Sequence, residues 1–289
     1  HYPLRRQRQM CIRDRGMIML IAESDILSPA QSIPRAINVA GVPVVPFESY
    51  DQALACIEGA VEAHEKTFWV AINPQKCFRA WHESRLLELL NQADVGICDG
   101  VGVSLASRIL YGHGIKRCTG CDLFLKILPH AAKRGWGVFM LGASAESNAA
   151  ACARIEQVYP DLRIVGRQDG FFKDDDQVVE HINSSGAELL FVAMGSPTQE
   201  YWISKHRDRI NAPFCMGVGG SFDVLSGRIK RAPAIFRKTG TEWLFQLVTE
   251  PHKRFKRQTV YVPFVLRVVS KKLIGSIGAS QWTARPVRQ

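Results

Sequence analysis

The chain has 289 residues, 46% of them hydrophobic and 22% charged, which is the make-up of a soluble globular protein with one large core or two modest ones and excludes a membrane-spanning bundle. Its formal charge of +10 is unevenly spread: residues 251–289 hold nine Lys or Arg and no acid, residues 1–15 carry +4, and residues 16–250 sum to −3. A basic tail on a near-neutral body excludes diffuse stickiness and points to a localised anionic partner: a lipid headgroup, a pyrophosphate or nucleic acid.

The opening HYPLRRQRQMCIRDRG shows no apolar periodicity, and the MIMLIA behind it is too short for a signal core or a membrane span. Residues 1–16 are therefore expected to be extraneous, followed by an α/β body over 17–226 and a basic appendage over 227–289. From residue 48 the chain alternates helical and extended patterns. Helical spacing predicts helices over 49–65, 84–93, 101–112, 122–135, 145–159, 174–186 and 197–210. Short apolar runs predict strands at 67–73, 96–99, 137–142, 162–166, 189–195 and 214–220. Strands joined by helices of this length favour a Rossmann-like parallel sheet with helices on both faces. After Ser226 cations interleave with aromatic and aliphatic residues, and Pro263 is expected to interrupt the helical run. A helix of that texture either lies in a bilayer interface or packs on the body as an ordinary terminal helix.

The densest chemistry lies between residues 191 and 233, in FVAMGSPTQEYW, MGVGGSFDV and GRIKRAP. Two apolar strands there empty into glycines, and ligands of open α/β sheets gather at such strand ends. Gly195, Gly217, Gly219 and Gly220 can admit positive φ or let backbone N–H groups approach a diphosphate. Pro197 suits the first turn of a helix, which puts Gln199 and Glu200 beside the strand ends, either as ligands of sugar hydroxyls or a uracil edge or as a plain helix start. Asp99 follows the GIC run directly and precedes Gly100, so its carboxylate is expected at a strand's carboxyl end.

Eight cysteines, Cys11, Cys56, Cys77, Cys98, Cys118, Cys121, Cys152 and Cys215, lie in apolar stretches with no secretion signal ahead of them and read as reduced cytosolic thiols. Cys118 and Cys121 lack the further pair that a zinc site needs. The acidic run Asp174, Asp175, Asp176 reads as a helix N-terminus rather than a metal cage. GVGVSLAS does not match the dinucleotide fingerprint, which weighs against an NAD-dependent oxidoreductase. No helix-turn-helix, RNP or zinc pattern accompanies the basic tail, which weighs against nucleic acid.

The motifs ICDGVGVSLASR, RCTGCDLF, VFMLGA, YPDLRIVGRQDGFF, VAMGSPTQE, MGVGGSFDVLSGRIKRAP and TEWLFQLVTEP, in that order over residues 68–257, resemble the WecG/TagA/CpsF family of bacterial glycosyltransferases. AMGSPTQE and MGVGGSFDV are most similar to its branch that transfers N-acetylmannosaminuronate in enterobacterial common antigen synthesis; other branches use different UDP-sugars for exopolysaccharide or teichoic acid. The resemblance implies a metal-independent inverting transferase, without a cofactor, that moves an N-acetylmannosamine-type sugar from UDP onto N-acetylglucosaminyl-diphospho-undecaprenol. It implies a peripheral enzyme at the inner face of the cytoplasmic membrane, and a homo-oligomer is compatible with it.

By the same resemblance Asp99 is the general base, Arg117 neutralises a diphosphate or a donor carboxylate, Gln199 is a functional glutamine, and Asp223 lies near the nucleotide. Asn73 falls on a polar position near the site, Gly219 and Gly220 let the chain hug the UDP, and Arg231 faces phosphate or anchors the appendage. Two departures stand out. Gln246 replaces an arginine, and Arg254 and Arg257 lie one residue farther from Pro251 than in relatives. Arg254 and Arg257 are nonetheless expected to close over the site and stabilise the leaving UDP.

Overall fold

The structure is a computed structural model of the chain and describes residues 33–229, 232–249 and 259–274. It begins with a hairpin that the periodicity did not reveal, β1 (Ile37–Val39) against β2 (Val42–Val44), because three-residue strands are too short to show a period. The turn is made by Ala40 at φ 57° and Gly41 at φ 102°, with the Gly41 N–H donating to Asn38 Oδ1 at 2.8 Å.

Helix α1 (Tyr50–Glu62) leads to β3 (Thr67–Ile72), then α2 (Pro74–Ala80), α3 (Ser84–Gln92) and β4 (Val95–Cys98). Helices α4 (Val101–Tyr111) and α5 (Gly120–Arg134) precede β5 (Gly137–Gly142), α6 (Ala145–Val158) and β6 (Arg163–Gln168). Then come α7 (Asp175–Ser184), β7 (Leu189–Ala193), α8 (Thr198–His206), a short 3-10 turn, β8 (Phe214–Gly217) and α9 (Ser221–Leu225). The described part of the C-terminal segment holds α10 (Ala234–Thr239), α11 (Glu242–Thr249) and α12 (Tyr261–Ile274).

Strands β3 to β8 form one six-stranded sheet in the order β4-β3-β8-β7-β5-β6, with every neighbouring pair parallel. The expected α/β architecture is thus present. Its physical cause is visible in the strands other than the edge strand β6, which are almost wholly apolar because both faces are covered. Alternation sends Phe68, Val70, Ile72, Leu190, Val192 and Cys215 to a core closed by α2, α3, α4, α7, α8 and α12. Trp69, Ile97, Met140, Phe191, Phe214 and Met216 face the other core, closed by α1, α5, α6 and α9.

Helix starts are held by side chains: Ser49, Asn73, Thr119, Ser144 and Asp174 each accept a backbone N–H from the first turn. Asp174 caps α7 as the acidic run suggested, while Asp175 takes hydrogen bonds from Trp202, Lys205 and His206. None of the seven described cysteines is in a disulfide.

The C-terminal helix is tied to the core. Phe264 and Val268 of α12 are fully buried, and Phe264 stacks on Trp81 with ring centroids 5.7 Å apart. The Arg267 guanidinium lies 4.5 Å from the Trp81 ring centroid. Pro263 does not interrupt the helix as expected. It sits in the first turn of α12, where its missing N–H would have no intrahelical acceptor.

Candidate active site

In a parallel sheet every carboxyl end opens on one edge, and here four adjacent strands bring most of the expected residues to it. Asn73 comes directly after β3, Asp99 directly after β4, Gln199 and Glu200 follow β7, and Gly219 and Gly220 follow β8.

Asp99 is held from both sides. Its Oδ1 accepts the Gly120 N–H at 3.3 Å and its Oδ2 accepts Asn73 Nδ2 at 3.4 Å, both long bonds that leave lone pairs for a further proton. Gly120 can approach because a Cβ there would stand 3.1 Å from Ala71 Cβ, and Gly100 at φ 96° turns the chain into α4 immediately beyond. Burial pushes the Asp99 carboxyl above the ordinary carboxylate range, and the Asp122 charge adds to this; Asn73, Lys76 and Gly120 pull in the opposite direction. A carboxylate made more basic at the mouth of a sheet is suited to general-base work.

Beside it lies a buried polar chain that sequence reasoning only half foresaw. Asn73 Oδ1 caps α2 through the Lys76 N–H at 2.9 Å, and Lys76 Nζ meets Glu200 Oε1 at 2.7 Å. Glu200 Oε1 also accepts Gln199 Nε2 at 2.9 Å, and Gln199 Oε1 accepts the Gly219 N–H at 2.9 Å. Gln199 and Glu200 are only 3% and 1% exposed, so both side chains are turned inward, toward the glycine loop and Lys76. Glu200 Oε2 has no hydrogen-bond partner among the described residues. Gly217 makes the arrangement possible, since a Cβ there would stand 2.4 Å from Gln199 Nε2. Of the loop glycines, Gly195 and Gly219 have positive φ, at 75° and 55°, whereas Gly220 at φ −80° leads into α9.

Lys76 is the residue the sequence did not flag. A lone lysine in NPQK carries no motif, and a buried ammonium is recognisable only once its carboxylate, 124 residues away, is in place. Arg228 was missed as well; its Nη1 lies 3.3 Å from Ser144 Oγ and 3.4 Å from Ser147 Oγ at the start of α6.

The other expected residues are more dispersed. Asp223 is half-buried in α9, and its carboxylate accepts no hydrogen bond among the described residues. Arg117 lies against the C-terminal segment: a Cβ on Gly240 would stand 3.0 Å from Arg117 Nη1 and 3.2 Å from Val101 Cβ. Arg231, Arg254 and Arg257 fall outside the described residues, as do residues 1–16 and the Gln246 side chain.

An α/β sheet with a basic carboxylate and glycine loops at its carboxyl edge is an architecture suited to group transfer, and one that many chemistries share. Residues 37–277 match the glycosyl transferase WecG/TagA/CpsF family, and the chain belongs to it. It is also similar to an N-acetylglucosaminyldiphosphoundecaprenol N-acetyl-beta-D-mannosaminyltransferase of Bacillus spizizenii. The two are 34% identical over 209 residues, covering 72% of this chain and 81% of that protein.

Proposed function

We propose that the chain transfers an N-acetylmannosamine-type sugar, with inversion, from UDP to N-acetylglucosaminyl-diphospho-undecaprenol. The observation that carries this reading is Asp99: a carboxylate raised in basicity, at the carboxyl edge of the sheet, in a family of glycosyltransferases with a relative named for that acceptor. Asp99 takes the proton of the acceptor hydroxyl as that oxygen attacks the anomeric carbon. The bond from carbon to the UDP oxygen breaks on the opposite face, and UDP leaves with the electron pair. Asn73 and the Gly120 N–H hold the carboxylate in line.

The donor's UDP lies in this reading along Gly219 and Gly220, with Asp223 toward the ribose. The buried chain from Lys76 through Glu200 and Gln199 keeps the Gly219 loop in position. Arg117 is the cation assigned to the diphosphate or to a donor carboxylate. Arg254 and Arg257 are proposed to stabilise the departing UDP, which leaves no role for a metal ion. The sequence resemblance favours N-acetylmannosaminuronate as the donor sugar and a surface polysaccharide of the enterobacterial common antigen kind as the product. The Bacillus relative's name favours plain N-acetylmannosamine.

A position at the inner membrane surface is supported by α12. Beyond its buried residues it leaves Val262, Leu266, Leu273 and Ile274 exposed beside Lys271 and Lys272, the make-up of a helix lying in a bilayer interface. Among the described residues no helix is long and apolar enough to cross a membrane.

The test is a donor panel of UDP-N-acetylmannosaminuronate, UDP-N-acetylmannosamine and UDP-N-acetylglucosamine with a lipid-diphosphate N-acetylglucosamine acceptor, read by mass. Transfer of either mannosamine-type sugar supports the proposal and selects its donor; transfer of the glucosamine alone, or of none, rejects it.

A further inference from the structure

An apolar concavity opens beside the Asp99 loop and has no part in the chemistry above. It is a groove of about 240 Å³ between α4 and α12. Its walls follow from helical spacing: Val101, Leu105 and Ile109 recur every four residues along α4, and Tyr261, Val265 and Val268 recur at three and four along α12. No charged side chain lines it.

The two helices run parallel. At their N-terminal ends the Tyr261 ring reaches Gly102, where a Cβ would stand 3.4 Å from Tyr261 Cε1; at their C-terminal ends Lys272 Nζ donates to the Leu110 carbonyl at 2.8 Å. The groove therefore has a head next to Asp99 and a far end bridged by Lys272. Tyr261 marks the head electrostatically, since burial and then the Asp99 charge raise its phenol pKa. The Arg117 guanidinium and Val101 both abut Gly240, so a cation stands where the apolar wall begins. Val101, Leu105 and Val265 remain 38%, 48% and 38% exposed, apolar area that a hydrocarbon would take out of water.

We propose that this groove seats the first isoprene units of the polyprenyl chain of the lipid-linked acceptor, its diphosphate at the Arg117 end and its sugar at Asp99. The inference rests on the transferase reading, which supplies an acceptor with a sugar, a diphosphate and a long hydrocarbon in that order. The site offers a base, a cation and an apolar trough side by side. A water-soluble acceptor would have no use for the trough.

Two measurements on the full chain in vesicles test it. In the first, a polyprenyl diphosphate carrying a photoreactive diazirine on its hydrocarbon is cross-linked and the adducts are mapped by mass. Adducts within residues 101–109 and 261–268, displaced by undecaprenyl diphosphate but not by an equal amount of phosphatidylglycerol, support the site. Adducts elsewhere, no adducts, or equal displacement by the phospholipid overturn it, as would labelling that vanishes when the chain self-associates over the groove.

In the second, Leu105→Gln and Val265→Gln are assayed with undecaprenyl and methyl forms of the acceptor. The expected result is a KM for the undecaprenyl form raised about tenfold, with the methyl form, which has no hydrocarbon to seat, and the donor KM little changed. Equal effects on both acceptors reject the groove. Adducts in the groove without transfer to any acceptor count against the transferase reading alone, and transfer without adducts there counts against the groove alone.

Discussion

Asp99 concentrates the chemistry at the scale of single residues, and its environment dictates two measurable consequences. Asp99→Asn keeps the hydrogen-bonding shape and removes the base, so turnover should fall about a hundred- to ten-thousand-fold, with donor KM little changed. The wild-type rate should climb on the acid side through a pKa above the ordinary aspartate value, and that limb should be absent from the residual rate of the variant. Linkage sets the sign for stability. A carboxyl raised in the folded state lends stability below its unfolded pKa that is lost as pH rises through the folded value. Asp99→Asn should therefore match or exceed the wild-type Tm near neutrality, and the margin should shrink as pH falls. A variant less stable at neutral pH and unchanged at acid pH would contradict the desolvated carboxylate.

The Lys76–Glu200 pair makes a second prediction. Removing one member strands a buried charge, so Lys76→Met should cost about 3–5 kcal/mol in denaturant unfolding. Adding Glu200→Leu should recover most of that stability but not the donor KM, because Gln199 loses the carboxylate that orients its amide. Recovery of both would reduce the chain to ordinary packing. The sequence exposed Gln199 and Glu200 as candidates, yet it could not show that they face inward, since Pro-Thr-Gln-Glu reads the same whichever way the helix turns its first residues.

Among elements, α12 combines two roles that one region of sequence does not separate. Its cations and exposed aliphatics invite a membrane reading, while Phe264 and Val268 close one of the two cores. Phe264→Ala should destabilise the protein by about 3–5 kcal/mol, measured by thermal or denaturant unfolding; a loss below about 1 kcal/mol would mean the helix is only loosely docked. A cut after Thr249 would remove α12 and bare Trp81 and its neighbours. Substituting Arg254 and Arg257 singly by Ala, with Tm as control, is the cleaner test of their proposed role. A drop in kcat at unchanged Tm is the expected outcome.

On the scale of the whole molecule, a body with a basic, apolar-edged C-terminal segment should bind anionic vesicles in a salt-dependent way. Sedimentation with phosphatidylglycerol vesicles should capture the protein at low salt and lose much of it at high salt, while neutral vesicles capture little. Turnover in excess EDTA should be retained, because the proposed mechanism gives cations the work of a metal. Strict dependence on added manganese would overturn that part.

The sequence by itself determined the layered α/β fold and the place of Asp99. Alternating apolar runs and amphipathic spacings are local consequences of burial, and an aspartate after a strand and before a glycine is positioned by its immediate neighbours. It also carried the family, through motifs whose order survives in one dimension. Only the tertiary structure decided which strands lie side by side, that Lys76 meets Glu200, that Gln199 faces the Gly219 loop, and that α12 runs along α4 to form a trough ending at Asp99. Those contacts join residues far apart in the chain, and a buried charge or an apolar wall has no sequence signature until its partner is brought against it.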